Sequence, residues 1–391
     1  MSRFKTDIVI INRSFWPIYP VIGEALLQFA EKAADEYRVG VIMQDHVGIR
    51  SKLEAAQRGQ GVDFFPCKAL TTSSSGIFLR MVDTVFFMLW VIGVLLWQRP
   101  KKVYVSTDPP ILVPFVVMLY ARLFGAEFVY HLQDIHPEAA NVVIKLNRLV
   151  YNTLRKLDCI TMRRADQLVT ITEQMGDEIR RRSGTQSPLR ILANPAVSFD
   201  QVDFPPQKKS GFSFCGNAGR LQRMPVVIKS IEAYLDDGGT LEFVFAGAGV
   251  FAGELKALSE RYSKVTYLGL VTPLQAAQLN AEYDWALLPI EDEVTRFAFP
   301  SKTSSYVFAG AKILAICGQK TSVAEWVIDK KLGVCVEPNV EEIASVYQAI
   351  ENKQLDEAGF DMNRDKLKSA LGFENFVQQL DSLMSTKVKS E

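Results

Sequence analysis

The feature that most constrains the fold is an alternation: short apolar runs, many rich in Val and Ile, with helical spacing between most of them. In the first half the runs fall at 7–12, 38–44, 102–107, 127–132, 167–172 and 189–193. In the second half they fall at 212–215, 241–246, 265–268, 285–289, 312–317 and 333–336. Few of them alternate apolar with polar residues. Strands covered by helices on both faces read this way, whereas half-buried strands alternate. The pattern predicts parallel sheets with helices on either side. Two such series in one chain of 391 residues predict an α/β protein with two doubly wound, Rossmann-like domains.

The boundary is legible as well. Residues 191–211, ILANPAVSFDQVDFPPQKKSG, hold Pro195, Pro205 and Pro206 and no helical period, which reads as a linker. The expected division is a first domain over 1–193, a linker over 194–211, a second domain over 212–370, and a C-terminal helix within 371–391 that packs back toward the first domain. Open α/β sheets bind ligands beyond the carboxyl ends of their strands. Site residues should therefore follow strands, and two facing domains would place the active site in the cleft between them.

Charge and composition exclude some functions. Lys plus Arg total 44 and Asp plus Glu total 44, so the chain is not a generally basic nucleic-acid binder. The zero conceals an asymmetry: residues 1–200 carry 24 basic and 19 acidic side chains, the remainder 20 and 25. Five scattered cysteines without a C-x-x-C point to a reducing, cytoplasmic compartment. The N-terminus runs directly into a strand-like segment, so no signal peptide is expected. Residues 84–98, TVFFMLWVIGVLLWQ, form 15 uncharged positions, short of the ~20 a spanning helix needs. They predict a buried core helix, or a helix partly exposed to a membrane surface. The second reading rests on Trp90 and Trp97 within the run, and on Arg99, Lys101 and Lys102 closing it. Clustered Arg155, Lys156, Arg163, Arg164 and Arg180–Arg182 extend the basic character of this half toward an anionic membrane surface.

Four clusters carry the chemistry. HLQDIHPE, 131–138, follows a strand and interleaves two of the three histidines with Asp134 and Glu138. Asp134, His136 and Glu138 can supply a base or polar contacts to hydroxyls. They match no metal-ligand spacing, so no metal is expected. The alternative is a loop capping the next helix. FCGNAGRLQRM, 214–224, offers Gly216 and Gly219 for a tight turn with exposed N–H groups, and Asn217, Arg220, Gln222 and Arg223 as donors for phosphate oxygens. FPSKTSSYVFAGAKILAI, 299–316, starts a helix at Ser301. Lys302 and the N–H groups of residues 301–304, Thr303 among them, would face one anionic group. FAGAG, 245–249, has Gly247 and Gly249, which admit a flat ligand or simply make a turn.

Taken in order, these segments resemble the retaining family-four glycosyltransferases of the GT-B architecture, in the bacterial branch that builds surface polysaccharides. YPVIGEAL (19–26) resembles the first glycine loop, VYVSTDPP (103–110) the segment ending in a proline pair, and HLQDIHPE the R-D-L-W-P-E loop. Asn194–Pro195 resembles the hinge N-P, GNAGRLQ the G-N-x-G-x-x-Q turn, FAGAG the f-v-G-x-G turn, VTYLGLV (265–271) the strand after it, and PSKTSSYVFAG the P-S-K helix start. The resemblance implies transfer of a sugar from a nucleotide-sugar donor to a lipid-linked saccharide acceptor, with retention and without metal or other cofactor, by a peripheral protein on the cytoplasmic membrane face. It places Arg220 and Lys302 on the donor diphosphate. Gly216, Asn217, Gly219, Gln222, Gly247, Gly249, Ser301, Thr303 and Ser305 would complete the donor side. Gly23, Glu24 and His131 would meet the acceptor beside Asp134, His136 and Glu138. Where the family carries two glutamates, this chain has Phe297 and Ser305, and Gln133 stands where many members have histidine. Two alternatives follow: a weak or inactive homologue that binds a nucleotide sugar or a partner enzyme, and a nucleotide-sugar epimerase on the same architecture.

Overall fold

The computed structural model describes residues 5–71, 77–360 and 362–385. It forms two compact units, one of Met1–Asn194 with Phe373–Glu391 and one of Pro195–Gly372. Each is a parallel sheet between helical layers, as the apolar runs predict.

The first unit contains β1 (Thr6–Ile11), β2 (Val39–Asp45), β3 (Val62–Lys68), β4 (Pro100–Ser106), β5 (Glu127–Leu132), β6 (Gln167–Thr170) and β7 (Leu189–Ile191), in the order β3-β2-β1-β4-β5-β6-β7. The order reverses between β1 and β4, so the loops leaving these two strands diverge and open a crevice at their carboxyl ends. β3 is the strand that the apolar pattern misses. VDFFPCK contains Asp63, Pro66 and Lys68, and it lies at the sheet edge, where a missing N–H and charged side chains are tolerated.

Side chains alternate across this sheet. Ile8 and Ile10 of β1 point to a core shared with Leu26, Phe29 and Ala30 of the helix Ile22–Ala34. The last helix, Phe373–Met384, lies in the same core through Phe376, Leu380 and Leu383. Its Asp381 pairs with Lys32 at 3.4 Å, and the Leu383 carbonyl accepts from Lys102 Nζ at 3.2 Å. Full burial of one such Leu or Phe side chain stabilises by ~1.5–3 kcal/mol, so this terminal helix is a structural member of the first unit.

The other face of the sheet carries the helices Ile77–Gln98, Leu112–Phe124 and Arg148–Arg164. The first of these runs 22 residues, longer than the uncharged run, because Asp83 is accommodated inside it. The Asp83 carboxylate is buried and accepts from Gln44 Nε2 at 2.8 Å, Leu70 N at 3.1 Å and Thr71 Oγ1 at 2.9 Å. The expectation of a buried core helix is not met: only 28% of the apolar window Met81–Gln98 is inside the protein. By length and composition this helix is also sufficient to cross a membrane. The basic closure needs correction too. Lys102 is buried against Glu127 at 3.0 Å and Lys101 is paired with Asp7 at 2.8 Å, which leaves Arg99 exposed at the helix end. The side chain of Arg80 lies outside the described residues.

The second unit contains β8 (Lys209–Cys215), β9 (Glu242–Ala246), β10 (Val265–Tyr267), β11 (Tyr283–Pro289), β12 (Lys312–Ile316) and β13 (Gly333–Val336), in the order β10-β9-β8-β11-β12-β13. Its reversal falls between β8 and β11. An aromatic cluster fixes this sheet: Phe212 packs at 5.3 Å on Phe243 and at 5.0 Å on Tyr347, centroid to centroid.

Candidate functional site

In the second unit the candidate residues gather at the ends of β8 and β9 and at the helix Lys302–Ala309. The loops after β8 and β9 run backbone against backbone. Gly216 N donates to Ala246 O at 2.9 Å and Ala218 N to Ala248 O at 2.7 Å. A Cβ on Gly247, whose φ is +131°, would lie 1.9 Å from Gly216 O, and one on Gly249 would lie 2.2 Å from Ala218 O. Both glycines are thus required by the approach of two protein loops, which is a sufficient reason for them without a ligand. Gly219 opens a short turn, Arg220–Gln222, in which its N–H donates to Gln222 Oε1 at 3.1 Å. Gln222 is therefore engaged in shaping the turn. Asn217 and Arg220 stay exposed, while Arg223 is tied to Ile290 O at 2.8 Å, Asp292 at 2.9 Å and Glu291 at 3.1 Å.

Lys302 is the most unusual cation of this unit. It opens its helix, and its Nζ is buried without a hydrogen-bond acceptor. The ammonium lies 3.8 Å from the centre of the Phe214 ring, a cation–π contact. It also lies against Gly216, where an added Cβ would be 3.2 Å from Nζ. Burial lowers its pKa to about 8. Ser301 does not cap the helix: its φ and ψ, −61° and −23°, are helical, and its side chain makes no capping hydrogen bond. The nearby hydroxyl of Thr303 instead donates to Pro300 O at 2.8 Å. A helix start without a side-chain cap, beside a buried cation, suits an incoming anion. Ser305, one turn on, is 8% exposed. The far end of the helix is secured by Gly310 in the left-handed conformation and by Arg364, whose guanidinium donates to Val307 O at 3.1 Å and Ala311 O at 3.3 Å.

In the first unit, the reversal point brings together residues far apart in sequence. Arg13, just past β1, pairs with Asp108, just past β4, at 3.2 Å, and Ser14 N donates to the same carboxylate at 2.8 Å. Ser106 Oγ donates to Asn12 Oδ1. Thr107 Oγ1 accepts from Gln133 N at 3.2 Å and Asp134 N at 3.3 Å, which seats the loop after β5 beside that after β4. Burial raises the Asp134 pKa to about 6, with the Asp108 charge adding to the rise. His136 is lowered to about 4 by burial and by Arg182, against a smaller opposing effect of Asp108.

The remaining first-unit candidates divide differently from the sequence expectation. Glu138 is buried and accepts from Arg155 at 3.1 Å and from Arg182 at 2.7 Å. Arg182, itself without side-chain exposure, also donates to Asp158 and, at 2.9 Å, to His136 O. Burial opposes its charge, yet the two carboxylates hold its pKa above the ordinary value. Glu138 is thus an anchor that fixes the loop, and the catalytic expectation for it gives way to that role. His131 is corrected as well: it is 0% exposed, 2.5 Å from the Tyr104 hydroxyl and packed near Phe376, so it meets no acceptor. Glu24 accepts from Arg58 at 3.1 Å and Gln28 at 2.8 Å. Gly23 is a packing position, since a Cβ there would lie 2.6 Å from Trp16 N. Arg13, Asn12, Thr107 and Asp108 were not singled out from sequence. The available signal was their place at or just past the ends of two strand runs, with Thr107 and Asp108 inside the VYVSTDPP segment. Among the described residues no group of three or more His, Cys, Asp or Glu is arranged to hold a metal.

Comparison with known proteins bears on the fold and the class of the chain. Residues 22–195 match the model of a glycosyl transferase 4-like domain. Over 271 residues the chain is 25% identical to a protein named "Probable glycosyltransferase WbjE" of Pseudomonas aeruginosa, covering 65% of this chain and 67% of that one. Sucrose-phosphate synthase from Thermosynechococcus elongatus superposes with a TM-score of 0.69 at 12% identity, over 96% of this chain and 98% of that one. WaaG, a glycosyltransferase involved in lipopolysaccharide biosynthesis, superposes with a TM-score of 0.65 at 12% identity, over 97% of this chain and all of the other. The glycosyl transferase 4-like match over residues 22–195 and the likeness to that probable glycosyltransferase support a glycosyltransferase activity, and the solved structures show the GT-B fold.

Proposed function

We propose that the protein takes a sugar from a nucleotide-sugar donor and transfers it, with retention of anomeric configuration and without a metal, to a lipid-linked saccharide. It would do so at the cytoplasmic face of the membrane, in the assembly of a surface polysaccharide. The observation that carries this reading is Lys302, a buried ammonium without a protein acceptor at an uncapped helix start. A donor diphosphate supplies the missing anion, and no metal is needed where helix N–H groups and a lysine offset its charge. As the sugar–phosphate bond breaks, charge builds on the leaving diphosphate, and these fixed donors stabilise it. Arg220 adds a second cation on the same side. In the first unit Asp134 receives or orients the acceptor hydroxyl, its elevated pKa matching a base that works near neutral pH. The involvement of WaaG in lipopolysaccharide biosynthesis supports a surface-saccharide acceptor.

The test is incubation with a panel of nucleotide sugars, with and without lipid-linked saccharides, reading nucleoside diphosphate release and the product's anomeric configuration by NMR. Acceptor-dependent release, unchanged by EDTA, is expected. No release with any donor would remove the reading. A second reading has its own observation: Phe297 and Ser305 stand where the resembled family has glutamates, and Arg296 stacks on Phe297 at 5.6 Å. Donor binding without turnover would favour a binding homologue, and conversion of the sugar without acceptor would favour an epimerase.

A further inference from the structure

The helix Ile77–Gln98 has two apolar faces, and the first unit uses one of them. Phe87, Val91 and Leu95 are buried, as is Asp83 with its three donors. The opposite stripe, Val82, Val85, Leu89, Leu96 and Trp97, is exposed, Trp97 by 59%. A surface helix of a water-soluble protein normally turns polar residues outward. The neighbouring helix Leu112–Phe124 extends the stripe with Leu119 and Leu123, the latter 76% exposed. Contiguous apolar surface on this scale marks an interaction face.

Charge identifies what covers it. In a parallel α/β layer each helix returns antiparallel to the strands, so the C-termini of Ile77–Gln98, Leu112–Phe124 and Arg148–Arg164 share one edge. That edge carries exposed Arg99, Arg122, Arg163 and Arg164 and one exposed carboxylate, Asp166, paired with Arg122 at 3.8 Å, so cations stay in excess; Arg122 also donates to the Arg164 carbonyl, joining two of the helix ends. An apolar face bordered by guanidinium groups complements a bilayer whose headgroups are anionic.

We propose that the apolar face of the helices Ile77–Gln98 and Leu112–Phe124 inserts into the interfacial region of an anionic phospholipid bilayer. The helix Ile77–Gln98 then lies in the membrane plane and does not cross it. Crossing would pull Phe87, Val91 and Leu95 from the sheet and carry Asp83 into hydrocarbon without Gln44 and Thr71. In-plane insertion leaves the inner stripe in place and buries only the outer one. This deepens the membrane part of the proposed function and rests on that reading only for its biological purpose.

The test uses the full chain. Flotation is expected with vesicles of phosphatidylcholine containing about a third phosphatidylglycerol, weakened about tenfold or more in pure phosphatidylcholine or in about 0.5 M salt. Trp fluorescence should be quenched more by lipids brominated near the headgroup than by those brominated near the chain ends, and Trp97→Phe should remove most of that difference. Leu89→Glu with Leu96→Glu should abolish flotation while the melting temperature stays within a degree or two, because both side chains are exposed. Several results would overturn the face: no flotation by the wild type, equal flotation by the double variant, stronger deep quenching, or a lipid-free dimer that shields Trp97. Nucleoside diphosphate release in detergent separates the two readings. Release by a wild type that does not float sinks this face alone. Flotation without release by any donor leaves the face and sinks the transfer.

Discussion

The ammonium of Lys302 lies 3.8 Å from the centre of the Phe214 ring and against the backbone of Gly216, with no protein oxygen accepting from it. A buried cation in this state is held by the ring and by nothing of opposite charge. Lys302→Met keeps the volume and removes the desolvated charge. It should raise the melting temperature at pH 7 and weaken nucleoside diphosphate binding about 10–100-fold, measured by calorimetry. With its pKa lowered to about 8, the free protein loses this charge as pH rises through 8. Diphosphate affinity should therefore fall above pH 8 in the wild type and stay flat in the variant.

Asp134 gives a second pH signature. Its pKa rises in the folded protein from 3.8 to about 6, through burial and then through Asp108. Between those values the folded state keeps a proton that the unfolded state releases, so stability declines as pH climbs through the window and the penalty is complete above 6. Asp134→Asn should consequently be more stable than wild type at pH 7.5, by on the order of 2–3 kcal/mol at most, and equal to it at pH 3.5. Turnover, where the ionised form is required, should drop below pH 6 in the wild type and by about a hundredfold or more in the variant.

Glu138 and Asp134 are four residues apart, yet Glu138 is ion-paired with Arg155 and Arg182 while Asp134 lies near Asp108. Removing the Arg182 guanidinium strands two buried carboxylates, so Arg182→Ala should lose ~3–5 kcal/mol, read from the urea transition of the first unit. Glu138→Gln should lower stability by a smaller amount. Once the temperature is reduced to keep it folded, its turnover should remain within a few-fold of wild type.

Phe376 lies 1% exposed against the core of the first unit, near His131. Phe376→Ala should destabilise that unit by ~3–5 kcal/mol and leave the transition of the second unit unchanged, which differential scanning calorimetry resolves. A shift in both transitions would contradict the assignment of this helix to one unit.

Much of the fold was legible because its strands are buried on both faces: β5 and β13 coincide with the apolar runs, and several others differ by only one to three residues. β3 escaped because an edge strand with Pro66 lacks that signal. The extent of the Ile77–Gln98 helix was hidden by Asp83, whose charge is answered by Gln44, 39 residues away. Site chemistry was harder to read. Gly247 and Gly249 look equally suited to a ligand or to a neighbouring loop, and only the 1.9 Å and 2.2 Å approaches decide. The Arg13–Asp108 pair spans 95 positions, a separation that no local pattern encodes. His131 and Asp134 share one octapeptide, but one belongs to the strand and the other to the loop beyond it, and that single boundary sends one inside and the other to the crevice.

The return of Phe373–Met384 to the first unit orders events on the ribosome. Residues made after the second unit complete the unit made before it, so the opening domain waits through the synthesis of some 180 further residues with part of the apolar side of its Ile22–Ala34 helix uncovered. The second unit, contiguous in sequence, has no such wait. An emerging chain of this kind reaches its closed first domain only once residues 373–384 have left the ribosome, and that interval is when a nascent-chain chaperone has something to hold.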